Sequence, residues 1–232
     1  DGALLKKMLA YSLPMVIIGF AGIINEMLDR AILKFLLPFD AHTNMEQLGV
    51  YGACYKLSIL MTLFIQAFRY AAEPFFFSHA KEKNSIKVYA DVMKYFVIVC
   101  VSIFLLVTLY IDIFKYFIGK DFRVGLPVVP ILLMANLFLG VYVNLSIWYK
   151  LKDKTLLGSF VSIGGAVLTI VLNVVFIPKY GYMASAWATL TCYASMAVVS
   201  YLLGQKYYPV EYDLKSFLKY FFIALLFYFS FS

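Results

Sequence analysis

Polar and charged side chains are concentrated in two apolar stretches of this sequence, and their types suit the binding of anions, cations and hydroxyl groups. The first stretch contains Asn25, Glu26, Asp29 and Arg30, and the second contains Tyr55, Lys56, Thr62, Gln66, Arg69, Tyr70 and Glu73. Arginine and lysine bind phosphate oxygens. The carboxylates can balance those cations or bind a coupling ion. Asn25 and Tyr70 are candidates for polar wall residues.

A helical wheel at 100° per residue places the polar groups of the second stretch on one face. An arc of about 100° holds Tyr55, Thr62, Gln66, Arg69, Tyr70 and Glu73, with Leu57, Met61, Phe64 and Phe68 opposite. The polar groups of the first stretch also share one sector. Because an ionised side chain near the bilayer centre costs roughly 2.5 to 3.5 kcal/mol, such groups face protein or water. We therefore predict that the two helices line a hydrophilic cavity.

A second interpretation needs no cavity. Asp29 and Arg30 would lie at the membrane interface, with Glu26 and Arg30 neutralising each other as an i, i+4 pair. Arg69 and Glu73 have the same spacing near a helix end, from which a long side chain reaches the interface. The sequence alone leaves both interpretations open.

The composition requires that these stretches cross a membrane. Of 232 residues, 63% are hydrophobic and 14% are charged, against roughly 45 to 50% and about 25% in soluble domains. The mean hydropathy is +0.85. Seven apolar segments are each close to the roughly 20 residues of one crossing: 8–28, 48–76, 92–118, 126–149, 156–177, 183–203 and 217–232. Their long continuous runs predict an all-α, polytopic transmembrane helix bundle, a single membrane domain over residues 1–232.

The two ends of the sequence suggest a piece of a longer protein. The chain opens on Asp1 and Gly2 without an initiator methionine, and the last apolar segment stops after 16 residues. We expect the seventh helix to be truncated and the remainder of the protein to precede and follow this piece.

The distribution of positive charge predicts the orientation. Net charge is +7. Twelve lysines lie on the side of the N-terminus, six basic residues lie on the other side, and Lys56 and Arg69 lie within a segment. By the positive-inside rule the N-terminus is cytoplasmic, in a multi-pass protein of the cytoplasmic membrane. The basic loops then contact anionic lipid, and nucleic acid is not needed to explain the charge.

Rows of small residues at four-residue spacing occur in the fifth and sixth segments. They are Gly158, Ser162 and Ala166; Gly165, Thr169 and Asn173; and Gly181, Ser185 and Thr189. Such rows predict close helix packing.

Motifs for enzyme chemistry do not occur in the sequence. His42 and His79 are not paired with other ligands at metal-binding spacing, and no phosphate-binding glycine loop or nucleophile motif is present. We therefore expect no enzyme activity, no cofactor and no metal site.

Three stretches resemble a known family. The longest is 173–189, NVVFIPKYGYMASAWAT, which is similar to the N-x-x-x-I-P-x-x-G-x-x-G-A-A-x-A-T pattern of polysaccharide-biosynthesis membrane proteins. The stretches 28–33, LDRAIL, and 48–57, LGVYGACYKL, resemble the same family. These proteins are the oligosaccharide-lipid flippase branch of the multidrug/oligosaccharidyl-lipid/polysaccharide (MOP) exporter superfamily. Ala184 and Ser185 depart from the pattern, where the family often has Gly and Ala, but both remain small.

The resemblance implies that this chain is the C-terminal lobe of a two-lobed MATE/MOP-like transporter, whose N-terminal lobe is missing here. It implies alternating access, a cationic cavity and a polyprenyl-diphosphate-linked oligosaccharide as substrate for surface polysaccharide synthesis. By that similarity Lys56, Gln66 and Arg69, with Tyr55 and Thr62 beside them, bind substrate. Glu26, Asp29, Arg30 and Glu73 then balance charge or couple to ions.

Two alternatives remain open. A cation-coupled multidrug exporter of the same superfamily would use Glu26 and Asp29 to bind a cationic substrate. A membrane-embedded glycosyl- or acyl-transferase would need a catalytic base, for which His42 and His79 are the candidates.

Overall fold

The computed structural model describes residues 2–231, and those residues contain helices and turns without a strand. The nine α-helices of this range are α1 (Gly2–Leu36), α2 (Ala41–His79), α3 (Ser85–Leu109), α4 (Ile111–Phe114), α5 (Val128–Leu145), α6 (Ile147–Leu151), α7 (Thr155–Tyr180), α8 (Tyr182–Tyr207) and α9 (Leu214–Phe231). Two 3-10 helices, Lys115–Phe117 and Lys120–Gly125, connect α4 to α5. The predicted all-α class is confirmed.

Six helical segments are long and apolar enough to cross a membrane. They are α1, α2, α3, the continuous stretch Val128–Leu151 formed by α5 and α6, α7 and α8. Each corresponds to one of the first six predicted spans, so the chain is a multi-pass helical bundle of the membrane type. The seventh predicted span coincides with α9, but its last residue, Ser232, lies outside the described residues. So does Asp1, the first residue of the predicted domain.

The helix bounds differ from the predicted spans at several ends. Helix α1 covers Gly2–Leu36 where the sequence predicts 8–28, because a helix continues through its polar ends beyond the apolar run. In the opposite sense, α3 ends at Leu109 although its predicted span reaches residue 118. Residues 111–125 form short helices instead, in a stretch where Asp112, Lys115, Lys120 and Asp121 interrupt the apolar pattern.

Helix α5 forms the centre of the bundle. Thirteen of its 18 residues are buried, and it packs against α2, α3 and α8. Helix α1 is the opposite case, because only five of its 35 residues are buried. Those five, Pro14, Ala21, Asn25, Asp29 and Leu33, recur at intervals of seven and four residues and form a narrow stripe. The partner that α1 contacts most extensively is α7.

Small residues of α7 allow close packing against α8 at Gly165 and against α6 at Gly158, as the sequence predicts. A β-carbon added to Gly165 would lie 2.4 Å from Sδ of Met196, and one added to Gly158 would lie 2.7 Å from the Tyr149 ring. A side chain at either position would force its neighbour to move. Close packing of this kind replaces the hydrophobic driving force that lipid does not supply.

Candidate functional site: a polar cavity between the first two helices

A cavity of about 330 Å³ lies between the middle of α1 and the second half of α2, and residues of α5, α6, α7 and α8 complete its wall. Five residues singled out from the sequence line it: Asn25, Glu26, Thr62, Gln66 and Arg69. The other helices add the polar side chains of Tyr142, Ser146, Tyr149, Lys150, Ser162 and Tyr193. We refer to this space as the central cavity.

Helix periodicity places the α2 residues on the cavity. Thr62, Gln66 and Arg69 are spaced by four and three residues and therefore lie on one face. The adjoining face carries Met61 and Ile65, which are buried in the core. The apolar contacts of this second face hold α2 against α5, and they fix the direction in which the polar face points.

Two charged side chains on the cavity wall have no ion partner. Arg69 and Glu26 are both exposed. Within residues 2–231 neither forms an ion pair, so the predicted Glu26–Arg30 and Arg69–Glu73 pairs are absent there. Both side chains are therefore available to a ligand.

Glu73 pairs with a different helix. Its carboxylate forms an ion pair with the Lys150 ammonium, which belongs to α6 and is only 7% exposed. Sequence reasoning missed Lys150, because it directly follows the predicted span 126–149 and was counted with the basic loop. The fold turns it inward, since α5 ends at Leu145 and α6 continues the chain beside α2. Because Arg69 at i, i+4 already offered Glu73 a partner, no signal in the sequence indicated a pair with Lys150.

Asn25 joins α1 to α7 at the back of the cavity. It is 2% exposed, and its side-chain oxygen accepts a hydrogen bond from the Thr169 hydroxyl at 2.9 Å. The Asn173 amide donates within α7, to the Thr169 carbonyl oxygen. Asn25 is therefore a wall residue fixed by its neighbours, in contrast to the exposed Glu26.

Asp29, Arg30 and Tyr55 lie outside the central cavity, in the contact between α1 and α2. Asp29 is 1% exposed, and it accepts hydrogen bonds from the Tyr51 hydroxyl at 2.6 Å and the Arg30 backbone N–H at 2.7 Å. The Arg30 guanidinium stacks 4.1 Å from the centre of the Tyr55 ring. We call Asp29, Arg30, Tyr51 and Tyr55 the junction cluster. A solvated interfacial position does not fit Asp29.

Lys56 and Tyr70 are not brought to the cavity. Both side chains are exposed, Tyr70 to 76%, and neither is part of the cavity wall. The histidines are also remote from it: His42 lies 3.5 Å from Glu46 in the first turn of α2, and His79 ends the same helix.

The side chains of the cavity wall suit a polar, charged ligand. Among the described side chains, no three His, Cys, Asp or Glu come together in a way that could hold a metal ion. Arg69 and Lys150 provide N–H donors for phosphate oxygens, while Gln66, Thr62 and the tyrosines can bond hydroxyl groups.

Comparisons of this chain with models of protein families, with curated proteins and with solved structures find no match.

Proposed function

We propose that this chain is part of a membrane transporter that moves a polyprenyl-diphosphate-linked oligosaccharide across the cytoplasmic membrane by alternating access. The single observation that supports this most directly is the exposed, unpaired Arg69 on the wall of a polar cavity within apolar helices. A diphosphate leaving water needs fixed cations and hydrogen-bond donors to replace its hydration, and arginine provides both.

The narrow packing of α1 supports the two-lobed arrangement. Large apolar side chains of α1, such as Leu13, Phe20 and Met27, are more than half exposed. A helix of this kind faces lipid or another helical lobe. In the proposal the missing N-terminal lobe closes the cavity on the side that α1 and α2 leave open.

Glu26 supports one alternative substrate. Its carboxylate is exposed on the same wall as Arg69, and a cation-coupled exporter needs an acid in this place. In that case Glu26 would bind the coupling cation or a cationic substrate, and Arg69 would be dispensable.

The test is a charge reversal of Arg69 in the protein in its native membrane. Arg69→Glu places a carboxylate where the diphosphate would bind, so we expect export of the lipid-linked glycan to be lost while protein abundance is unchanged. Lys56→Glu is the matched control, because it is the same charge reversal on the same helix outside the cavity. The measurement is the amount of glycan displayed at the cell surface, with protein abundance by immunoblot.

Two results would contradict the proposal. Unchanged glycan display in Arg69→Glu refutes the role of this arginine. Equal loss in Arg69→Glu and Lys56→Glu shows that the charge of α2 as a whole is responsible, and the cavity is then not the binding site.

A further inference from the structure

We propose that Arg69 and Lys150 together form the anion subsite of the central cavity, and that Glu73 is the counterion with which an incoming phosphate competes for Lys150. This rests on the proposed function, because it requires an anionic head group. It adds Lys150 of α6 to the site and gives the partly buried Glu73 of α2 a role in setting affinity.

The first observation is that Lys150 lines both the central cavity and a small pocket beside it. It lines the central cavity together with Arg69, and it also lines a small side pocket of about 10 Å³, room for roughly one water molecule. Glu73 lines the side pocket and is not part of the central cavity wall. In the proposal, a phosphate in the central cavity approaches Lys150 from a side that Glu73 does not line.

The second observation concerns charge. Lys150 is only 7% exposed, and its ion partner among the described residues is Glu73. A buried ammonium group without such a partner is costly. Arg69 lies four residues before Glu73, one helical turn away, and it has no acid of its own within the described part of the chain. Glu73 therefore balances Lys150 alone, Glu26 is the other acid on the cavity wall, and an anion bound at Arg69 would add negative charge next to Lys150.

The third observation is a buried amide, Asn144, which lies in the same side pocket as Glu73 and has no side-chain hydrogen bond in the part of the chain that the structure describes. Asn144 lines the side pocket and is 2% exposed, and neither its side-chain nitrogen nor its side-chain oxygen has a hydrogen-bond partner among residues 2–231. When the Lys150 ammonium moves toward a bound anion, the Asn144 amide N–H groups can donate hydrogen bonds to the Glu73 carboxylate. The Glu73 carboxylate then keeps hydrogen-bond partners, which lowers the free-energy cost of moving Lys150 from Glu73 to the anion.

The structure also indicates what the exchange would change. The Glu73–Lys150 ion pair ties the last part of α2 to α6. Pro74 directly follows Glu73 and provides no N–H for the carbonyl of Tyr70, so α2 is weakest at this point. Binding of an anion would release α2 at its most deformable turn.

The test measures binding of inorganic pyrophosphate to the purified protein in detergent micelles by isothermal titration calorimetry. Glu73→Gln removes the competitor, so we expect roughly tenfold tighter binding, and Lys150→Gln removes a cation, so we expect roughly tenfold weaker binding. A salt bridge of purely structural importance predicts no gain in affinity for Glu73→Gln. Lys56→Gln is the control for a general change of charge.

The charge swap Glu73→Lys with Lys150→Glu covers the case in which a single variant fails to fold. The swap keeps the ion pair but moves the cation away from the central cavity. We expect a melting temperature close to that of the wild type and the weak pyrophosphate binding of Lys150→Gln. Wild-type affinity in the swap variant would overturn the inference.

The remaining outcomes separate this inference from the proposed function. If Arg69→Glu abolishes export but Glu73→Gln binds pyrophosphate no more tightly than wild type, the counterion role is wrong and the flippase proposal survives. If neither wild type nor Glu73→Gln binds pyrophosphate and Arg69→Glu exports normally, both proposals fail.

Discussion

The central cavity and the junction cluster both contain polar side chains of α1 and α2. In the junction cluster, α1 and α2 touch, and Asp29 is sealed with hydrogen bonds from Tyr51 and from the backbone of Arg30. Farther from the connecting turn, Glu26 and Gln66 are exposed on the wall of an open space. The polar faces of α1 and α2 therefore stabilise helix packing where the two helices are in contact. Where the helices separate, the same faces are available to bind a ligand.

The difference between the two regions should be largest in chemical accessibility. In a background with Cys54, Cys100 and Cys192 replaced by alanine, Gln66→Cys should react with a membrane-impermeant thiol reagent because the cavity is open to water. Ser58→Cys should not react, because Ser58 lies two turns earlier on α2 with no exposed surface. The extent of labelling is measured by mass spectrometry, and equal labelling at the two positions would contradict an open cavity beside a buried part of α2.

Stability provides the second contrast. Asp29→Ala removes a buried acceptor and leaves the Tyr51 hydroxyl without its partner, so we expect a loss of about 2 to 3 kcal/mol in the free energy of unfolding. Glu26→Ala removes an exposed carboxylate one turn away, and its effect should stay below about 0.5 kcal/mol. Unfolding in mixed micelles, followed by tryptophan fluorescence, measures both. A comparable loss for the two variants would show that the cavity wall contributes as much to folding as the junction cluster does.

The smallest effect concerns the turn that joins the two helices. Asp40 caps α2: its carboxylate accepts a hydrogen bond from the Thr43 hydroxyl at 2.6 Å and further bonds from the backbone N–H groups of His42 and Thr43. The Thr43 hydroxyl is the main cause of a pKa for Asp40 below its usual value. A depressed pKa means that this stabilisation is complete above the unfolded value of about 3.9 and is lost as the pH falls below it.

The measurement is the melting temperature of wild type and Asp40→Asn between about pH 6 and pH 3, since asparagine caps a helix without titrating. The small advantage of the wild type should shrink toward pH 3. An advantage that does not depend on pH would mean that the cap contributes through its geometry and not through its charge.

Much of the fold follows from the sequence because the bilayer imposes a simple rule. Helices of about 20 apolar residues are the means by which such a chain satisfies its backbone hydrogen bonds in lipid, so the first six spans are visible as apolar runs. This rule predicts the apolar part of a helix but not the residues at which the helix ends. For this reason α1 and α2 extend beyond their predicted limits. The end of α3 was missed because the apolar residues on either side of Asp112 and Lys115 were enough to extend the predicted span to residue 118.

The candidate site was predicted in part, for a related reason. The helical wheel gives the face on which Thr62, Gln66 and Arg69 lie, since that depends only on spacing along one helix. It does not say how far the neighbouring helix is at each level. Asp29 and Glu26 are three residues apart on α1 with similar chemistry, and only the contact with Tyr51 buries the first of them.

The sequence by itself determined that this chain is a bundle of membrane helices and that its first two long helices each have a polar face, because hydrophobicity and helical periodicity are local properties. The tertiary structure decided which polar groups meet water, which are sealed, and that Lys150 leaves its basic loop to pair with Glu73. Those outcomes depend on distances between helices far apart in the chain, and no local pattern specifies such distances.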